Sequence, residues 1–238
     1  MAEEIKYPIR INRYLALKGY ATRRAADELI SAGLVLINGK KAVLGDKVQE
    51  TDKIDVLKDS RSHNKKLVYL AYYKPRGIVT HSPQPGEKAI KDVVDLAGVF
   101  PVGRLDKESE GLIILTNDGR ITERVLNPKF EHEKEYEVTV REKIPSNAKK
   151  IMENGIMSEG QKLSAKEVEM ISQHKMAVVL TEGKTHQIRR MLDDLRLTVE
   201  NLKRVRIMGI KLGSLSPGQY HELDTEHKTK FLGSLGLK

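Results

Sequence analysis

The chain has 238 residues, 42 of them Lys or Arg and 33 Asp or Glu, for a formal net charge of +9. That length suits one large domain or two modest ones with a sizeable core. The absence of cysteine excludes disulfides, thiol catalysis and every Cys-ligated metal or iron–sulfur site.

The longest unbroken apolar run, 67–73, is seven residues, far short of the roughly 18 a membrane span needs. The first ten residues, MAEEIKYPIR, lack the apolar stretch of a secretory signal. The seven His show no metal-ligand spacing. A cytoplasmic protein without metal or cofactor, on no membrane, is the expectation. Residues 1–66 hold 14 Lys+Arg and 9 Asp+Glu, a net of +5 against +4 for all the rest. Such asymmetry points to a polyanion-binding module; as a bland surface it would serve only solubility.

In chain order, Ile11 and Leu15 share one helix face, and Gly19 is expected to end that helix. Thr22 is the expected N-cap of a second helix, with Arg23 and Arg24 in its first turn and Gly33 at C′. A strand over 34–37 leads into Asn38-Gly39, a strong two-residue hairpin signal, and Lys40 and Lys41 open the return. Ile54 and Val56 alternate as one more strand. This helix–helix–hairpin unit is assigned to 1–58, and DSRSHNKK at 59–66, without an apolar residue, to a linker.

The second unit, 67–238, reads as strands over 67–73, 112–115, 136–140, 177–180 and 206–212, with helices near 90–96, 121–126, 146–153 and 185–195. Without a βαβ rhythm, this predicts an α+β fold with a mixed, largely antiparallel sheet.

Three segments could carry chemistry. In GRLDKESEG, 103–111, Asp106 occupies a Gly-flanked loop before the apolar strand LIIL, a place where a carboxylate is partly desolvated. On pattern alone a loop or helix-cap carboxylate is the commoner reading, and Asp118 in NDG reads as a turn residue. Tyr136 opens a strand after Lys134-Glu135, where it could stack on a base or simply pack on the sheet. In GKTHQIRRM, 183–191, Ile188, Met191, Leu192 and Leu195 form one helix face. Arg189 and Arg190 fall near the positive end of that helix, so a compensating anion is expected. Residues 184–211 carry eight Lys/Arg and three acids, which favours an anion-binding surface over a merely solvated one.

Taken in order, GRLDKESEGLIILTNDG, HEKEYEV, EGKTHQIRRM and RVRIMGIKLGSLSPG closely resemble the RsuA/RluB/RluE/RluF family of pseudouridine synthases. IRINRYLALKGYATRRAADELISAGLVLINGKKA is similar to the S4 RNA-binding domain that usually precedes that catalytic domain, and YYKPRGIVT resembles the family's first motif. HEKEY and RIMGI look most like the RluF branch, which acts on large-subunit ribosomal RNA. Thr185-His186 stands where the family commonly has Asn-Arg, and Arg196 where a glycine is usual. Neither departure falls on Asp106, Tyr136 or Arg189.

The resemblance implies a cofactor-free isomerisation: the C1′–N1 bond of a uridine breaks, the base turns and it rejoins through C5. It makes Asp106 the catalytic carboxylate, with attack at C1′, addition at C6 and removal of the C2′ proton all open. It makes Arg189 the cation paired with Asp106, Tyr136 the aromatic stacked on the target base, and Arg104 a group for the space a flipped nucleotide leaves. Arg10, Arg13, Arg23, Arg24 and Lys40, with Arg190, are the expected RNA contacts. The expected partner is ribosomal RNA, with transfer RNA open, and the expected state is a monomer. Two other functions compete: a non-catalytic S4-type RNA-binding or ribosome assembly factor, and a hydrolase with paired carboxylates, for which only Glu108 and Glu110 lie near Asp106 in sequence.

Overall fold

The computed structural model describes residues 6–18, 20–21, 23–57, 66–96 and 98–237. Two compact units, Met1–Leu67 and Val68–Lys238, divide the chain. The expected helix stop at Gly19, the N-cap at Thr22 and all of the 59–66 linker except Lys66 lie outside the described residues.

In the first unit, β1 (Ile9–Arg10) runs directly into α1 (Ile11–Leu17), followed by α2 (Arg23–Ser31), β2 (Val35–Ile37), β3 (Lys40–Lys41), β4 (Lys47–Val48) and β5 (Ile54–Val56). Ile11 and Leu15 are fully buried and pack with Ala26, Ile30 and Val35. The end of α2 is closed as its sequence implies. Gly33, at φ +68°, donates to the Ile30 carbonyl, and Leu34 donates to that of Leu29, the paired bonds of a Schellman motif. Asn38 and Gly39 take φ of 51° and 78°, the two left-handed residues of a type I′ hairpin. The pairing of β1 with β4 had no signal in so short a stretch.

The second unit holds β6 (Tyr69–Lys74), α3 (Ile90–Val93), β7 (Phe100–Val102), β8 (Glu110–Thr116), α4 (Arg120–Leu126), β9 (Lys134–Val140), α5 (Ala148–Asn154), β10 (Ile156–Ser158) and β11 (Gln161–Leu163). It continues with β12 (Glu167–Met170), β13 (Lys175–Leu180), α6 (Gln187–Asp194), β14 (Val199–Ile207), β15 (Ile210–Lys211), β16 (Tyr220–Glu222) and α7 (Thr225–Ser234). One sheet orders its strands β12-β13-β9-β14-β8-β6-β16, with β15 on β14 and β7 on β8. All pairings in it are antiparallel except β14 with β8, so the unit is α+β with a largely antiparallel sheet.

The continuous apolar runs have a plain cause. Tyr69, Ala71 and Tyr73 of β6, with Leu112 and Ile114 of β8, face a core closed by α4 and α7. Leu70, Tyr72, Ile113 and Leu115 face a second core with Ile90 and Val94. Both strands are buried on both sides, which removes the polar alternation.

Three expectations change. The strand read over 206–212 is the end of β14, a turn at Met208-Gly209 and the short return β15; Ile207 and Ile210 both point into one core, which imitated a single strand. The helix read over 90–96 lasts only four residues. Asp118 is more than a turn residue: its buried carboxylate accepts from the Tyr69 hydroxyl at 2.5 Å and from Arg120 Nε and Nη2 at 2.8 Å each. Burial pushes that carboxyl up, but the Arg120 and Tyr69 bonds outweigh it and hold it below the usual range.

Candidate active site

Asp106 sits on the loop between β7 and β8, and nearly every neighbour in that loop is tied down. The Thr80 hydroxyl donates to the Leu105 carbonyl at 2.7 Å, and its Oγ1 accepts the Leu105 N–H at 3.0 Å. Gly77 N–H donates to the Lys107 carbonyl at 2.8 Å, and Ser109 N–H to that of Asp106 at 3.0 Å. Both flanking glycines hold positive φ, and Gly111 is a steric requirement besides. Gly103, at φ +82°, would place a Cβ 2.9 Å from Leu126 Cδ2; Gly111, at φ +104°, would place one 2.3 Å from the Arg204 carbonyl oxygen, where β8 and β14 run side by side.

The Asp106 carboxylate is partly buried, its side chain 38% exposed. Among the described residues the basic side chain within ion-pair distance is not that of Arg189 but that of His186, whose Nε2 lies 3.4 Å from Oδ1. Arg189 projects from α6 and donates to the Glu108 carbonyl at 3.0 Å and the Ser109 hydroxyl at 3.3 Å. It therefore braces the loop just past Asp106 and acts on the carboxylate through space. Burial pulls the Arg189 guanidinium below its usual range, as does Arg76, while the charges of Asp106 and Glu108 oppose that pull.

Two residues that the sequence reading passed over underlie the loop. Lys74, completely buried, donates to the Pro75 and Ile78 carbonyls at 2.8 and 2.7 Å. Burial pulls its ammonium down to about 8, against the carboxylates of Asp106, Glu108 and Glu110. Arg204, 4% exposed, donates through Nε to the Leu112 carbonyl at 2.7 Å and through Nη1 to that of Arg104 at 3.3 Å. One guanidinium thus clamps both ends of the Asp106 loop. Its carbon also lies 6.0 Å from the ring centroid of Tyr136, its register partner across β9 and β14. A lysine closing the run LVYLAYY and an arginine inside a strand were the available signals, because a buried cation must have partners.

The remaining candidates divide. Arg104 is exposed and gives only its carbonyl. Arg190 turns toward the β10–β11 hairpin, donating to the Ser158 carbonyl at 2.6 Å with Glu159 at 3.3 Å, and its side chain is 17% exposed; little of it is left for a phosphate. Arg10, Arg13, Arg23, Arg24 and Lys40 are all exposed.

A family model described as RNA pseudouridylate synthase matches residues 68–194, and an S4 domain model matches 9–54. The chain belongs to the RNA pseudouridylate synthase family. The dual-specificity RNA pseudouridine synthase RluF of Escherichia coli (strain K12) is 36% identical over 219 residues, covering 90% of this chain and 75% of that protein. The ribosomal large subunit pseudouridine synthase B of Bacillus subtilis is 34% identical over 238 residues, covering 95% and 96%. A solved pseudouridylate synthase superposes with a TM-score of 0.69 at 27% identity, over 93% of this chain and 99% of that one. This pseudouridine synthase is thus an isomerase of RNA with an N-terminal S4 domain. No helix among its described residues is long and apolar enough to cross a membrane.

The departure Thr185-His186, which falls on none of Asp106, Tyr136 and Arg189 in sequence, nevertheless brings His186 beside Asp106 in space. The left-handed backbone of His186, φ 51° and ψ 27°, just before α6 turns the ring toward the loop, and helical spacing alone gives no hint of that.

Proposed function

We propose that this synthase converts a uridine of large-subunit (23S) ribosomal RNA to pseudouridine, with Asp106 as the catalytic carboxylate. The observation that carries the reading is a part-buried Asp106 on a loop pinned by Thr80, Gly77, Arg204 and Arg189, with cations on several sides. Such surroundings hold a carboxylate in one orientation. The names of the E. coli and B. subtilis relatives support RNA, and for the latter the large ribosomal subunit.

In this reading the C1′–N1 bond breaks, C1′ bonds to C5, and the proton lost from C5 is balanced by one gained at N1. No oxidant, water or cofactor is consumed. Tyr136 stacks on the extruded base, and Arg104, exposed ahead of the loop, fills the place the base leaves. Extrusion costs a few kcal/mol, and the exposed cations Arg10, Arg13, Arg23, Arg24 and Lys40 offset it through phosphate contacts. The enzyme acts as a cytoplasmic monomer, where ribosomal RNA is available.

Asp106→Asn tests the assignment. Pseudouridine formation by the purified protein should vanish while its Kd for RNA stays within about twofold, since the change removes only a charge and the nucleophile or base. Substantial residual turnover would remove Asp106 from the role. Mapping pseudouridine in ribosomal and transfer RNA, with and without the gene, identifies the target and reveals any second substrate.

A further inference from the structure

We propose that His186 is a positioning residue for Asp106, that its protonated imidazole is the working form, and that this makes the rate of this enzyme fall as pH rises through neutrality. The inference deepens the reading of Asp106 as the catalytic carboxylate and rests on it.

Three observations carry it. Nε2 of His186 lies 3.4 Å from Oδ1 of Asp106, and among the described residues no Lys or Arg comes within ion-pair distance of that carboxylate. The permanent cation expected there, Arg189, spends its hydrogen bonds on Glu108 and Ser109. His186 itself is held in left-handed backbone, which is uncommon for a residue other than glycine and concentrates at functional sites. The next residue anchors that geometry: buried Gln187 donates to the Ser164 carbonyl and to Glu182, and accepts the Lys184 N–H.

Other charged groups bearing on Asp106 are Arg189 from α6 and Lys74 from β6, which in turn feel Arg76, Glu108, Glu110 and Arg204. Lys107 is engaged by Glu87, Lys184 by Glu182 and Arg190 by Glu159. Arginine keeps its charge throughout the physiological range, whereas imidazole is the side chain that can change its charge there. The imidazolium fixes one carboxylate oxygen and leaves the other for the nucleotide. Once it loses its proton, that electrostatic hold is gone.

The test is kcat for pseudouridine formation on total RNA from cells lacking the enzyme, measured at saturating RNA from about pH 5.5 to 9. The wild type should slow about three- to fivefold over that range, as expected for a half-exposed ion pair. His186→Asn should be flat at the wild type's alkaline level, and His186→Arg flat at its acidic level. The shape of the profile is the readout, so a modest loss of folded protein does not disturb it. A fall retained in full by His186→Asn, or by His186→Arg, belongs to another group such as Lys74 and overturns the proposal. If Asp106→Asn is inactive while the His186 variants follow the wild type, this inference fails alone. If Asp106→Asn is active, both readings fail.

Discussion

The two units use positive charge in opposite ways. In the S4 unit Arg10, Arg13, Arg23, Arg24 and Lys40 stand in solvent and make no ion pair among the described residues. In the catalytic unit Lys74 and Arg204 are almost wholly buried, and each is spent on backbone carbonyls of its own chain. A free cation supplies affinity for a polyanion and little stability; a buried, bonded one holds geometry and is intolerant of change.

Substitutions can break this contrast or sharpen it. Gly111→Ala should be the most damaging, because its Cβ meets the Arg204 carbonyl at 2.3 Å with φ at +104°. A loss of about 3–5 kcal/mol is expected from strain and overpacking together, read as lost hydrogen-exchange protection of β8. Arg204→Met should cost about 2–4 kcal/mol by leaving the Leu112 and Arg104 carbonyls without a donor. It should also lower kcat more than it raises KM, since the loop that carries Asp106 is loosened.

Lys74 gives a pH test with a definite sign. Its folded pKa of about 8 lies below the unfolded value, so the unfolded chain binds more protons and stability rises with pH above 8. The useful window is pH 8 to 10. Above it the tyrosines contribute oppositely: Tyr69 and Tyr73, pushed up to about 12 chiefly by burial, lose stability as pH climbs from 10 to 12. Lys134 is also pulled down by burial, so the difference between wild type and Lys74→Met isolates the effect. That difference should change by about 2 kcal/mol across the window, followed by urea midpoints.

The smallest stability effects belong to the S4 unit. Replacing Arg10, Arg13, Arg23 and Arg24 by Ala should each change unfolding by no more than about 0.5 kcal/mol. Each true phosphate contact removed should reduce the log–log salt slope of RNA binding by about 0.7 to 0.9. An unchanged slope in the quadruple variant would make that surface a solubility face.

Where one residue's chemistry determined a local shape, it was legible in the sequence. Asn38-Gly39 gave its hairpin, Gly33 its helix end, and GRLDKESEG its loop before a buried strand. What the sequence hid was set by distant partners. α7 has only Phe231 among its buried residues and so shows no apolar period, and the exposed β16 shows no alternation. Spacing put Arg189 on the correct helix, but which carbonyl its guanidinium reaches depends on a loop eighty residues away. His186 was noted as a departure from the family pattern. Its approach to Asp106 depends on one left-handed residue, and no periodicity reports that.

The clamp by Arg204 also sets an order of events during synthesis. It joins residues 92 and 100 positions apart in the chain, and contacts of such separation form late in folding. The S4 unit, complete by Val56, can fold as soon as it leaves the ribosome. The Asp106 loop must wait for β14, roughly 150 residues later, on the order of ten seconds at ordinary translation speed. A growing chain therefore completes its S4 unit well before the Asp106 loop is clamped in place.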